Sequence, residues 1–297
     1  MFVFFQSENS LAMTALSHLV FFDAGSAAVC VAVDVLGNFE VWRRSSIRHP
    51  FGLERAEVLT GFAMSVFLLF GGFDLLSHGL KHVLEEGGHN HVMLDLVPPD
   101  TIDWASFSAM VSTAVSAYGL RNHTRIARLM RVSYLSSLPS ILSNPFHFLT
   151  LSFSLLLLLL PLLSIRYYLW LDRLICAGIA VAMSMFGLRL AVAQASMLLM
   201  SYSGGGSPEA VSQVIKEIEF EPAIAKLEEA QFWQVHYGLG MANLKARVAR
   251  ECDEISLTKL RGRIAALIQK RLGEGYGYGG SLRWEVTVEL NSDASLL

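Results

Sequence analysis

Charge is missing from long stretches of this chain. Between Arg131 and Arg166 lie 34 residues without Asp, Glu, Lys or Arg, including the run Leu155 to Leu160. Residues 58–80 hold one charge, Asp74, residues 104–120 hold none, and residues 174–208 hold only Arg189. Residues 9–42 are interrupted by Asp23, Asp34 and Glu40 alone. A helix that crosses a bilayer needs about 20 predominantly apolar residues. The pattern therefore predicts five spans, near 10–39, 56–80, 102–120, 135–164 and 171–201. Met1 to Phe5 is an apolar scrap that runs straight into Gln6-Ser7-Glu8-Asn9. It is too short for a signal peptide and lacks a basic leader. Residues 1–8 read as the remnant of a truncated first transmembrane helix, and residues 9–202 as the transmembrane domain.

After Ser201 the periodicity changes. Residues 203–207, Ser-Gly-Gly-Gly-Ser, form a flexible linker. Residues 208–290 follow as a small soluble domain and 291–297 as a tail. Pro208 stands at a first helical position and opens a helix to Glu219. Residues 224–237 and 241–249 have strand character and are split by Gly238-Leu239-Gly240. Ser256 can cap a helix over 257–272, in which Leu257, Leu260, Ile264, Leu267 and Ile268 fall near helical spacing. Residues 282–290 alternate as a half-buried strand. The expected order is α-β-β-α-β, too small for an enzyme core and suited to pairing with a second copy or a relative.

Composition supports the membrane assignment. Apolar residues make up 53% of the chain and charged ones 16%, against about 25% charged in soluble domains. The mean hydropathy is +0.45. A net charge of −3 gives no footprint for nucleic acid. Cys30, Cys176 and Cys252 are too few and too dispersed for a disulfide framework. No P-loop, GxSxG or HExxH motif is present, which argues against an enzyme. Arg43, Arg44, Arg48 and Arg55 crowd one connection, and Arg121, Arg125, Arg128 and Arg131 another. Between Gly79 and Asp103 one lysine faces Glu85, Glu86, Asp95, Asp100 and Asp103. The positive-inside rule places the arginine loops and the C-terminal domain in the cytosol. Asn122-His123-Thr124 is formally a glycosylation sequon, but on this topology it faces the cytosol.

Two polar stripes cross the predicted membrane region. Asp23, Ser26, Cys30 and Asp34 stand at i, i+3, i+7 and i+11 in the first span. Ser136, Ser140, Asn144 and His147 stand at i, i+4, i+8 and i+11 in the fourth. Such stripes suggest a shared interior face. On periodicity alone, polar residues that glue helices together are the better explanation.

The loop His49-Pro50-Phe51-Gly52-Leu53-Glu54-Arg55-Ala56-Glu57-Val58-Leu59 resembles the cytosolic signature of the cation diffusion facilitators. Gly52, Arg55 and Glu57 are its structural landmarks. The resemblance covers nearly the whole chain and implies a fold: a helical membrane bundle of six spans, of which five are expected here, plus a ferredoxin-like α/β cytosolic dimerisation domain. It also implies export of zinc and related divalent ions from the cytosol. Family transporters hold their ion with a His/Asp-x-x-x-Asp pair on the second helix and another on the fifth. Here those pairs fall on Ser26 and Cys30, and on Ser140 and Asn144. One thiol remains where zinc requires about four ligands, so the usual site is degenerate. Asp23, Asp34 and His147 are alternative ligands for a rebuilt site.

This pattern, with Asn9-Ser10-Leu11-Ala12-Met13-Thr14-Ala15, Phe22-Asp23 and Asn144-Pro145-Phe146-His147, resembles the partner branch of the family, fungal and animal subunits that lack the ion site. The resemblance implies a heterodimer with a family member that keeps the full site, in the membrane of the endoplasmic reticulum or early Golgi. Zinc is then the transported ion of the complex, and no cofactor is implied. The alternative is a self-sufficient zinc/proton antiporter built on Asp23, Cys30, Asp34 and His147. Weaker candidates are His89 and His91 in a loop, the row Asp74, His78 and His82, and His236 with Cys252. Arg189 is expected to pair with Asp34 or Asp74 or to reach the cytosolic surface. Trp233 and Trp284 are expected as core or interface aromatics.

Overall fold

The computed structural model describes residues 10–39, 50–51, 54–86, 99–119, 145–162, 169–202, 208–248, 253–273 and 282–292. Five helices come first: α1 (Leu11–Gly37), α2 (Glu54–Glu86), α3 (Pro99–Gly119), α4 (Pro145–Leu162) and α5 (Leu169–Leu198). A smaller set follows: α6 (Pro208–Glu219), β1 (Ile224–His236), β2 (Leu239–Val248), α7 (Glu254–Ile268) and β3 (Arg283–Ser292). The chain divides into two compact units, Met1–Arg44 with Leu59–Ala193, and Ser45–Val58 with Gln194–Leu297. The protein is an α-helical membrane bundle carrying a small α-β-β-α-β domain.

Segments Leu11–Val33, Glu54–Lys81 and Trp170–Leu198 are each long and apolar enough to cross a membrane. The helices α3 and α4 carry shorter apolar segments, Ser106–Val115 and His147–Leu160. Pro145 opens α4, as its fixed φ favours at a first helical position. The predicted start of that span at 135 lies outside the described residues, as do residues 1–8. Outward-facing Phe70, Phe73 and Val181 suit lipid contact.

The bundle core gathers Leu16, Leu19 and Phe22 of α1, Leu68 of α2, Leu157 of α4, and Ile179 and Met183 of α5. Two features bring the backbones close. A Cβ at Gly187 would stand 3.0 Å from the backbone nitrogen of Leu69, and one at Gly72 would stand 3.0 Å from the carbonyl oxygen of Ala180. A side chain at either position would press the backbones of α2 and α5 apart by a few tenths of an ångström. At the head of α1, Asp172 of α5 supplies what the helix lacks. The first N–H groups of a helix have no intrahelical partner. The N–H groups of Leu11 and Ala12 donate to the Asp172 carboxylate at 2.8 and 3.2 Å, and the Ser10 hydroxyl donates to it as well. Ser10 Oγ in turn accepts from the Met13 N–H at 3.2 Å. Asp172 is 2% exposed, and the helix dipole favours its charge there.

In the second unit the sheet order is β1-β2-β3. β1 and β2 are antiparallel, with Ala230 opposite Leu244 and Trp233 opposite Met241. β2 and β3 run parallel from Leu239 opposite Arg283 to Val248 opposite Ser292. Parallel neighbours require a crossover, and α7 lies between them in the chain. Val214 and Ile218 of α6, Leu260, Ile264 and Ile268 of α7, and Ala242 and Leu244 of β2 build the core. Trp284 joins it, edge-on to Tyr202 at 5.0 Å and to Phe232 at 6.0 Å, while Trp233 is half-buried.

The start of α7 differs from expectation. Asp253, with extended φ and ψ, caps it by accepting from the Glu254 N–H at 2.8 Å, and Ser256 lies inside the first turn. A carboxylate caps and also complements the dipole, so the earlier acidic residue wins. At the other end the α-helix stops at Ile268 and a π-turn spans Gln269–Gly273. The Gln269 side chain binds the returning strand there, donating to the Leu282 carbonyl at 3.0 Å and accepting from the Trp284 N–H at 2.8 Å.

Asp172→Ala should destabilise the bundle by about 2 kcal/mol, since three donors lose a charged acceptor. Asp172→Asn should recover part of the loss. Thermal unfolding in detergent checks both.

Candidate functional site: the buried polar seam between α1 and α4

The two predicted stripes meet at one point. Asp23 of α1 and His147 of α4 approach to 3.0 Å between Oδ1 and Nδ1, with side chains 7% and 2% exposed. The contact is close in distance without the alignment of a directed hydrogen bond. Among the described residues neither ring nitrogen of His147 has an aligned partner. Ser26, one of the positions expected to hold a ligand, is half-buried and turns its hydroxyl back to donate to the Asp23 carbonyl at 2.9 Å. Cys30 and Asp34 lie further along α1; their side chains are outside the described residues, as are Ser140 and Asn144 entirely.

The interior face of α4 continues beyond His147. Thr150 and Ser154 follow at i+3 and i+7, and both are fully buried. Ser106 and Thr113 on α3 are fully buried too, and Ser106 Oγ lies 3.8 Å from the sulfur of Met13. The sequence reading missed these four hydroxyls and Asp172. The signal was available, because the stripe ending at His147 runs on with helical spacing.

One carboxylate and one imidazole supply two of the roughly four donors that zinc takes. Among the described residues no group of three or more His, Cys, Asp and Glu side chains is placed to hold a metal ion. What the pair does in this structure is join α1 to α4 inside the bundle.

Of the signature loop, residues 54–58 are described and belong to the second unit. Arg55 donates through Nη2 to the Leu198 carbonyl at 3.3 Å, and Glu57 is buried at 8% exposure. Gly52 lies outside the described residues. Glu54 reaches His236, with Oε2 to Nε2 at 2.6 Å. His236 Nδ1 accepts from the Gly238 N–H at 3.2 Å. Burial pushes His236 below its ordinary value of 6.5, while Glu54 and then Glu285 pull it upward. The other half of the weaker metal candidate, Cys252, lies outside the described residues, as do His89, His91 and the side chain of His82. Asp74 and His78 are on the exposed side of α2. Arg189 is exposed on α5 and makes no ion pair with a described residue.

The described residues thus form a helical bundle with a buried interhelical polar seam, together with a small α/β domain. A sequence model of the cation efflux transmembrane domain matches residues 1–199, and the chain belongs to that family. It is 30% identical over 257 residues to the probable zinc transporter zrg17 of Schizosaccharomyces pombe, covering 86% of this chain and 63% of the relative. It is 41% identical to Protein ZRG17 of Saccharomyces cerevisiae over 69 residues, 23% of this chain and 11% of the relative. Mouse zinc transporter 6 is 26% identical over 88% of this chain and 59% of its own length. The chain thus spans less than two thirds of the curated relatives it matches.

If Asp23 and His147 tie α1 to α4, a double-mutant cycle with Asp23→Asn and His147→Ala should yield a coupling of about 1 kcal/mol. Unfolding in detergent micelles measures it. Additive effects would mean that the two side chains are merely neighbours.

Proposed function

We propose that this chain is an auxiliary, non-conducting subunit of a heterodimeric zinc transporter, working beside a family member that keeps the full ion site. The observation that carries the reading is the occupation of the seam by protein contacts: Asp23 faces His147, and the Ser26 hydroxyl is bound to its own helix. Ser26, Ser140 and Asn144 offer neutral oxygens, poor holders of zinc, and Cys30 offers one thiolate. The relatives named zinc transporters support zinc as the transported ion. On this reading the complex moves zinc from the cytosol into the lumen of the endoplasmic reticulum or early Golgi. Residues 208–290 lie in the cytosol and pair with the corresponding domain of the partner.

A second reading has one observation in its favour. Because Asp23 and His147 already lie together, they supply half of a rebuilt site that Cys30 and Asp34 would complete in a self-sufficient zinc/proton antiporter. Under that reading Asp23→Asn with His147→Ala abolishes zinc flux while leaving assembly intact.

Under the proposed function, Ser26→Ala, Cys30→Ala, Ser140→Ala and Asn144→Ala, each co-expressed with the partner, should keep zinc uptake within about twofold of the unsubstituted complex, which is less than about 0.5 kcal/mol. Uptake assays on the purified complex in vesicles check this. Loss of uptake as complete as deletion of the chain, from Cys30→Ala or Asn144→Ala, would contradict it.

A further inference from the structure

In the second unit α6 and α7 share one core with the sheet, and ion pairs link the two helices. Glu217 of α6 takes Arg271, just past α7, at 2.8 Å, and Glu221, just past α6, takes Arg263 of α7 at 2.7 Å. The helices therefore run antiparallel, with acids along one and bases along the other. Glu219 lies between those two acids, and Lys259 lies one turn before Arg263. Both are exposed, and neither has an ion-pair partner among the described residues.

Along the outer side of α7, Ile255, Lys259, Gly262 and Ala266 stand at i, i+4, i+7 and i+11, one stripe of the helix. A groove of about 620 Å³ opens on this stripe, lined by Ser256, Lys259, Gly262, Arg263 and Ala266. A Cβ at Gly262 would meet nothing within 4 Å, so no contact among the described residues calls for glycine there. Glycine nevertheless weakens a helix interior. A projecting ring stands beside the groove. Phe220 is 86% exposed, and the residue after it, Glu221, is tied to the groove wall through Arg263. Ile255, at the start of the stripe, is 65% exposed. One edge of the helical layer thus carries an apolar knob, an open groove, an unpaired acid beside the knob and an unpaired base inside the groove.

We propose that this edge joins two copies of the chain: Phe220 of each copy enters the α7 groove of the other, and Glu219 of each meets Lys259 of the other. The contact is isologous, since one patch supplies both the knob and the groove and both signs of charge. Aromatic anchors seated in pockets carry interfaces of this kind. A ring entering the groove needs a low floor, which gives Gly262 its reason. The second copy is the occupant that the face itself specifies. Two-fold pairing covers Phe220 and fills the groove in one step, whereas another protein in the groove would leave the knob in water. The inference goes beyond the proposed function and uses observations in the second unit alone.

The test uses the full chain in membranes, with its three native cysteines replaced by alanine and one new cysteine per copy. Copies carrying Phe220→Cys and copies carrying Gly262→Cys, each with its own tag, are expressed together and oxidised. The expected result is a mixed disulfide dimer holding both tags. Phe220→Cys expressed with Thr287→Cys, an exposed position on the open face of the sheet, should give none. All three substitutions fall on exposed positions, so the fold is kept. In the first pair, Lys259→Glu in both copies should lower the dimer yield about threefold, and adding Glu219→Lys should restore it. Absence of the mixed dimer would overturn the proposal and leave the groove to another protein, to lipid or to water. An equal yield with Thr287→Cys, or a charge reversal without effect or without rescue, would overturn it too. Neither zinc nor a transporting partner enters the measurement, so its failure and that of the proposed function are distinct.

Discussion

Hydrocarbon offers no partner to a polar group, so one placed at membrane depth is costly unless the protein supplies a partner. Much of the bundle follows from that constraint. The open N–H groups of α1 are met by a carboxylate from α5. Ser26, Ser65 and Ser184 return their hydroxyls to carbonyls of their own helices, at Asp23, Gly61 and Ala180. Asp23 and His147 approach to 3.0 Å across α1 and α4. Glycines at the α2–α5 crossing let backbones approach where larger side chains would hold them apart. Apolar burial alone adds little between helices in lipid, so these polar contacts and close approaches specify which helix lies against which.

The same constraint explains what could be read in the sequence. Five helices were legible because charge is excluded from long segments, and Asp23 and His147 were legible because ionisable residues there are rare. Their direct contact was not, because a stripe gives the face of one helix and leaves its neighbour open. Asp172 escaped notice for a related reason: at the edge of a predicted span an acid reads as a boundary, and only the fold brings the head of α1 to it. In the smaller domain the alternation of 282–290 and the glycine break at 238–240 located strands and turn. The cap of α7 was misplaced from Asp253 to Ser256 because both are good capping residues and local sequence ranks them almost equally. Parallel pairing of β2 with β3 depends on α7 as a crossover, a long-range fact.

The signature loop gains a physical meaning from the second unit. Glu54 and Arg55 meet His236 and the end of α5, so the loop's side chains serve a junction between helix ends and a strand turn. In the described part of the polar seam Asp23 lies against His147, and the Ser26 hydroxyl turns back to its own helix. A subunit so built can shape and hold a complex while its partner carries the ion, and that is the role proposed for it.

The central claim is that this subunit does not move zinc by itself. The most direct measurement is zinc uptake into sealed membrane vesicles holding the full-length protein alone, or the protein together with a family member that keeps the four ligands. The account predicts uptake with the partner and none above empty vesicles for the protein alone. Robust uptake by the protein alone would contradict it and return the seam of Asp23, Cys30, Asp34 and His147 to the position of an ion site.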